Sequence, residues 1–492
     1  MSTHPDTSPL TRRRFLHSTM LTAGALALGG RWQPASAATP LLTVDTRTIE
    51  VNGRAAKVFR IVGPGGRSGL VASEGDQLSG LLLNASGEPL QMHWHGQINA
   101  PADQDRARPG GGMLAAGQTD AHAFALTPGT HWMHSHTISE QLMLAAPMVT
   151  REKDAGDVQD VVIMLHDFAF RSPQEILAEL GGTESHAGHG PASGTARKAE
   201  PGSMHQGHGM RDMPGMAHGG HMMGMTHAND VRYDAYLAND RTLDDPEIVR
   251  VDKGGRVRLR VINGGTATAF FLSTPGLKST CIAVDGSPCQ AVTAQSYPLA
   301  QGQRIDLLVD IPQEGGAFPV LAQVEAALFM TGIVLATPGA AVRKLATSAS
   351  TPQGMLDLAF EKTLRATAPL AAKRPDKTFT VMLGEEPGYR WTINGRVHGE
   401  HQPFEATRGQ RLEMTFMNPT AMVHPMHLHG HHFQVVAVGG RRWPGPLRDT
   451  VIIPAHLPVT IAFDANHEGS WFMHCHHLYH MATGMMTELR VT

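Results

Sequence analysis

Three stretches of this chain are variations on one phrase. Gly75-Asp-Gln-Leu-Ser-Gly-Leu-Leu-Leu-Asn84, Gly254-Gly-Arg-Val-Arg-Leu-Arg-Val-Ile-Asn263 and Gly409-Gln-Arg-Leu-Glu-Met-Thr-Phe-Met-Asn418 each run from a turn glycine through an apolar-rich strand to an asparagine. The copies begin 179 and 155 residues apart (254 − 75 and 409 − 254). Such periods are domain-sized, so three related β domains are expected. Short strands broken by Gly and Pro fill most of the remainder, which suits Greek-key sandwiches and an all-β fold. The expected boundaries are 41–155, 157–345 and 373–492, with an irregular linker over about 347–376.

Two segments stand outside this pattern. Thr11-Arg12-Arg13-Arg14-Phe15-Leu16 precedes a modest apolar run from Met20 to Leu28, and Ala35-Ser36-Ala37 supplies a small-residue cleavage site. Paired arginines before a weak apolar core resemble a twin-arginine export signal over residues 1–37, so a periplasmic mature protein is expected. The apolar run is too short to span a bilayer, and no later segment qualifies. The second segment, 185–227, interrupts the middle domain between the strand expected at Val161 to His166, with the short helix after it, and the repeat at Gly254. It interleaves Met204, Met210, Met213, Met216, Met222, Met223 and Met225 with seven histidines and carries no apolar period. A surface loop is expected there. A net charge of −3 gives no basic face for nucleic acid, and a monomer is expected.

Four His-x-His pairs occur: His93/His95, His134/His136, His427/His429 and His474/His476. On a strand, residues i and i+2 share a face, so each pair presents two imidazoles together. The pairs fall at matched places. His93 and His427 lie nine residues after Asn84 and Asn418; His134 and His474 lie five after Gly129 and Gly469. The same counts in the middle copy reach Leu272 and Leu321. The outer domains therefore contribute four histidines each to a multi-metal cluster between them, and the middle domain is expected to be a spacer. The third copy alone adds His424, Cys475, His480 and Met485, where the first has Leu90, Ser135, Glu140 and Ala145. Two His, a Cys and a weak Met are the donor set of a blue-copper electron-transfer site. Cys475 stands between two cluster histidines, which gives an arriving electron a short covalent route.

His93-Trp-His-Gly96, His134-Ser-His136, His424-Pro-Met-His-Leu-His-Gly430 and His474-Cys-His-His-Leu-Tyr-His-Met-Ala-Thr-Gly-Met485 resemble the four motifs of the three-domain multicopper oxidases, over essentially the whole mature chain. The likeness is strongest to the periplasmic copper-resistance oxidases. It implies three cupredoxin-like domains and four copper ions. His424, Cys475, His480 and Met485 would hold type 1 copper, and His93 and His427 type 2. One type 3 ion would take His95, His134 and His474; the other would take His136, His429 and His476. It implies one-electron oxidation of a donor coupled to four-electron reduction of dioxygen to water. The donor is expected to be Cu(I), with copper tolerance as the purpose. A laccase acting on small phenols and a non-catalytic copper-sequestering protein are the alternatives.

Water formation also needs protons, and the family keeps an Asp soon after the first His motif. Asp105 matches it best, with Asp103 in reserve. Met481 stands where several bacterial laccase-like members carry Glu. His122, His131 and His166 are expected to be structural or at the surface, and His477 to face away from the strand's metal-binding side. Cys281 and Cys289 flank the hairpin signal Asp285-Gly286, as a disulfide or as buried thiols.

Overall fold

Residues 41–181 and 228–492 are described in this computed structural model; the proposed export segment and the Met/His-rich stretch lie outside them. Strands are the main regular elements of the described chain, and they are arranged as three successive pairs of sheets. The first pair, both four-stranded, spans Leu42–Val51 to Ala145–Arg151. The second, of six and five strands, spans Gln159–Phe168 to Met330–Ala336. The third spans Lys377–Glu386 to Met486–Val491.

The repeated phrase occupies the same place in each pair. Gln77–Asn84, Arg256–Asn263 and Arg411–Met417 each lie parallel to the first strand of their pair. Each is antiparallel to a later one: Thr119–Ala125, Arg304–Asp310 and Val459–Asp464. The turn glycines are required: Gly75, Gly254 and Gly409 have φ of +98°, +66° and +83°, a region that side chains with Cβ rarely enter. The terminal asparagines form one clamp, made three times. Asn84 Nδ2 donates to the carbonyl oxygens of Glu88 and Leu114, and its Oδ1 accepts from Ser86 N. Asn263 does the same with Thr268, Leu299 and Gly265 N. Asn418 does so with Met422, Ile453 and Thr420 N. Each asparagine is buried and satisfies backbone groups where the chain leaves one sheet for the other.

Other elements differ from expectation in detail. The helix after Gln159–Phe168 is Pro173–Glu179, closed by a Ser172/Glu175 capping box. The irregular linker after residue 346 packs against the domains: Leu356, Leu358, Leu364 and Ala366 are buried, and Glu361 holds Arg448 at 2.8 Å. Cys281 and Cys289 are buried thiols with their sulfurs 3.8 Å apart, in van der Waals contact and not bonded. No helix among the described residues is long and apolar enough to cross a membrane.

Candidate metal centres

Four buried strands converge on one point: Met92–His95 and Gly129–Ser135 from the first sheet pair, His424–Leu428 and Gly469–Cys475 from the third. Their register is matched, with His93 opposite His134 and His427 opposite His474. The eight histidines meet across the two pairs and are buried. His93 Nε2 lies 3.2 Å from His427 Nε2. His95 Nδ1 lies 3.3 Å from His134 Nε2. His474 Nε2 lies 3.2 Å from His136 Nε2 and 3.0 Å from His429 Nε2.

One implied grouping is overturned. His474 belongs with His136 and His429, and the rings around His476 are those of His95 and His134, at 5.2 and 5.1 Å. The shared face of a strand places both histidines at the cluster, but which side each meets is set by how the outer domains dock.

The far nitrogens of the rings are mostly held by hydrogen bonds. His427 Nδ1 donates to Asp449 O at 2.8 Å, His429 Nδ1 to Ala107 O at 3.0 Å, and His474 Nδ1 to Cys475 O at 2.9 Å. Each such donor leaves a lone pair on the inward nitrogen. Burial depresses the basicity of seven of the rings, followed for most of them by the charge of their neighbours. Burial thus favours the neutral imidazole at these positions. His476 Nε2 is buried with no hydrogen-bond partner among the described residues. Eight inward-facing imidazoles and such an orphaned nitrogen fit cations of the softness that imidazole selects.

Among the described residues, Asp105 is one of three carboxylates that touch this cluster, with Asp449 and Glu140. It is buried, and its Oδ2 accepts from His93 Nδ1 at 2.7 Å. Burial raises its carboxyl well above the usual range. Asp103 is exposed.

The second centre lies beside the first. Cys475 Sγ is 3.7 Å from His424 Nδ1 and 3.8 Å from His480 Nδ1, and those two nitrogens are 3.2 Å apart. Met485 is buried in the same core cluster, and its carbonyl accepts from Cys475 N at 3.0 Å. Burial raises the Cys475 thiol and lowers His480 to about 3, so a bound cation is what would make a thiolate of Cys475 here.

His477 corrects another expectation. The strand ends at Cys475 and the short helix Leu478–Ala482 begins, so alternation no longer applies. Its ring stacks on His480 at 3.8 Å, and Trp391 stacks on the same ring at 3.9 Å. His122, His131 and His166 are buried but join neither group.

Sequence reasoning missed Asp230. Its Oδ1 is 3.0 Å from His477 Nε2 and its Oδ2 is 3.4 Å from His480 Nε2, and Tyr389 donates a short hydrogen bond to it. Its one signal was position, three residues beyond the last histidine of the Met/His-rich stretch.

Family models described as multicopper oxidase match residues 200–340 and 371–492. The chain is 30% identical over 433 residues to the multicopper oxidase MmcO of Mycobacterium tuberculosis, covering 85% of this chain and 80% of that protein. It is 23% identical over 557 residues to the copper resistance protein A homolog of Pseudomonas syringae pv. tomato, covering 92% of each. The crystal structure of a laccase from Botrytis aclada matches with a TM-score of 0.71 at 20% identity, over 91% of this chain and 86% of that one.

Proposed function

The chain belongs to the multicopper oxidases, a family of oxidoreductases, and on that premise we propose that it oxidises cuprous ion at the expense of dioxygen, in copper tolerance outside the cytoplasm. His424, Cys475, His480 and Met485 would hold type 1 copper, and His93 and His427 type 2. His95, His134 and His476 would hold one type 3 ion; His136, His429 and His474 would hold the other. When bound, these four coppers supply one-electron storage beside Cys475 and dioxygen reduction among the eight histidines.

The protein's own groups supply the rest. The Cys475 main chain joins His474 and His476 directly, and His474 also returns a hydrogen bond to the Cys475 carbonyl at 2.9 Å. Asp105 fixes the proton on His93 Nδ1, and its raised carboxyl can carry a proton at the cluster's edge.

The observation that carries the cuprous reading is the carboxylate at the outer edge of His480. That ring has no exposed surface for a phenol to lie against. Its outer nitrogen faces Asp230, which attracts a cation, and the Met/His-rich stretch with its soft thioethers ends three residues earlier in the chain. Copper resistance in the name of one relative agrees with this reading. Steady-state oxygen uptake with Cu(I) and with a phenol tests it. Deleting 185–227, or Asp230→Ala, lowers the ratio of kcat/KM for Cu(I) to that for the phenol by about tenfold, one ligand's worth of binding. Equal losses on both donors would overturn it, and binding of copper without oxygen uptake would favour a sequestering protein.

A further inference from the structure

The middle domain contributes no histidine, yet it reaches two of the cluster's rings. Gly302 lies against His476: a Cβ added at its φ of +78° would sit 2.5 Å from that ring. Two residues on, Arg304 is fully buried. Its Nη1 donates to Asp449 Oδ1 at 2.6 Å, its Nη2 to Asp449 Oδ2 at 2.5 Å, and its Nε to the Thr130 carbonyl at 3.1 Å. Asp449 is a hub. Its Oδ1 accepts from His95 Nε2 at 3.0 Å, and its backbone oxygen accepts from His427 Nδ1 at 2.8 Å. One residue thus holds a ring from each outer domain, and one middle-domain guanidinium holds that residue.

This arrangement decides which nitrogen of His95 carries the proton. A neutral imidazole has one N–H. Giving Nε2–H to Asp449 leaves the lone pair on Nδ1, the atom that faces His134. The two-pronged grip of the Arg304 guanidinium holds both Asp449 carboxylate oxygens as acceptors. Arg304 is itself set in place by the tip of a middle-domain hairpin. Asp285 (φ +48°) accepts from Arg304 N at 2.9 Å through Oδ1, and from Thr450 N at 3.3 Å through Oδ2.

We propose that Arg304 is a positioning residue for the dioxygen-reducing cluster: through Asp449 it fixes the tautomer and orientation of His95. This rests on the ligand grouping proposed above. The planar fork is needed because both carboxylate oxygens must be held while one still accepts from His95.

The test uses full-length holoprotein. Arg304→Lys keeps the charge and loses the fork. Arg304→Gln with Asp449→Asn replaces the ion pair by two amides and leaves no buried charge unpaired, which guards against simple misfolding. In both, the blue absorption of the Cys475 centre and its anaerobic reduction by donor stay at wild-type values. Reoxidation by dioxygen slows about 10–100-fold, the range for losing a ligand's supporting hydrogen bond. Frozen-solution EPR of the oxidised variants gains a signal from a type 3 pair whose coupling is broken. Variants with wild-type EPR and reoxidation would overturn the proposal alone, as would a parallel loss of blue absorption and cluster signals. A wild-type protein without a coupled pair would overturn the ligand grouping, and the proposal with it.

Discussion

The first and third domains carry the same small piece of backbone and use it for different purposes. In both, a cluster histidine donates Nδ1–H to the next residue's carbonyl at 2.9 Å: His134 to Ser135, His474 to Cys475. In both, that next residue's N–H reaches across to the strand that follows, Ser135 to Leu144 and Cys475 to Met485. In both, the second histidine's N–H meets the neighbouring strand, His136 at Gln91 and His476 at Pro425. The side chains diverge. Cys475 faces His424 and His480, whereas Ser135 is tied to Thr137 and Ser139 at 2.9 and 3.3 Å, and Leu90 takes the place of His424. Where His480 stands in domain three, Glu140 stands in domain one, with Oε2 3.1 Å from His134 Nδ1. The proposed electron-transfer site and a plain hydrogen-bonded turn differ by four side chains on one backbone.

The sharpest way to break this comparison is to make domain three resemble domain one at its centre. Cys475→Ser removes the thiolate and is expected to abolish blue absorption and oxygen uptake together, a loss of at least about 1,000-fold, as for removing an activated group that acts directly. Absorption spectra beside oxygen-electrode rates measure it, and a colourless protein with unchanged turnover would sink the assignment.

Next in size is the proton side, which domain one supplies without a counterpart. Asp105→Asn should load copper normally, yet reoxidise about 100-fold more slowly, within the range for losing a general acid or base. Stopped-flow mixing of reduced protein with dioxygen reads this. Slow reoxidation in Asp103→Asn with Asp105→Asn unaffected would show the wrong carboxylate had been chosen.

Glu140→Gln sharpens the comparison at the position where the domains diverge in charge. The burial-raised carboxyl of Glu140 shares His134 Nδ1 with the Ser135 carbonyl. The carbonyl remains in the variant, so copper content stays full and turnover falls only a few-fold, below the ~10-fold floor usual for a ligand's sole supporting partner. Loss of copper measured by elemental analysis would contradict this.

The smallest effects should be those the domains share. Asn84→Ala and Asn418→Ala each remove three equivalent hydrogen bonds to buried backbone, costing about 2–4 kcal/mol of stability. Calorimetry should find similar costs in both, with the spectrum of surviving folded protein unchanged. A cost confined to Asn418 would mean the clamp serves the metal sites rather than the fold.

Much of this was legible in the residues because it is local. The repeat reads as three domains because a turn glycine, an apolar strand and an asparagine lie within ten residues. The His-x-His pairs are visible because strand alternation acts over two residues. What failed was not local. His474 and His476 were assigned to the wrong neighbours because His136 and His429 meet them only when two domains dock. His477 was misread because a helix begins where the strand's alternation stops. Arg304, Asp449 and Asp230 were missed because each acts on a ring distant in sequence. A faint signal existed for two of them: Arg304 is a charge opening the otherwise buried strand Arg304–Asp310, and Arg448-Asp449 sits directly before the buried run Thr450–Ile453.

The asparagine clamp also bears on how such a protein is put together. The middle domain keeps all three of its clamp bonds at Asn263 although Leu272 and Leu321 occupy the places of the histidines, and its Leu272 pairs with Ala322, one step out of the outer domains' register. That domain keeps its clamp and its apolar core with no cluster histidine at those places. The outer domains own the same clamp, a source of stability that does not depend on copper. Assembly can therefore run in two separable stages, chain first and ions second, and the order in which a cell delivers metal need not be the order in which the chain is made.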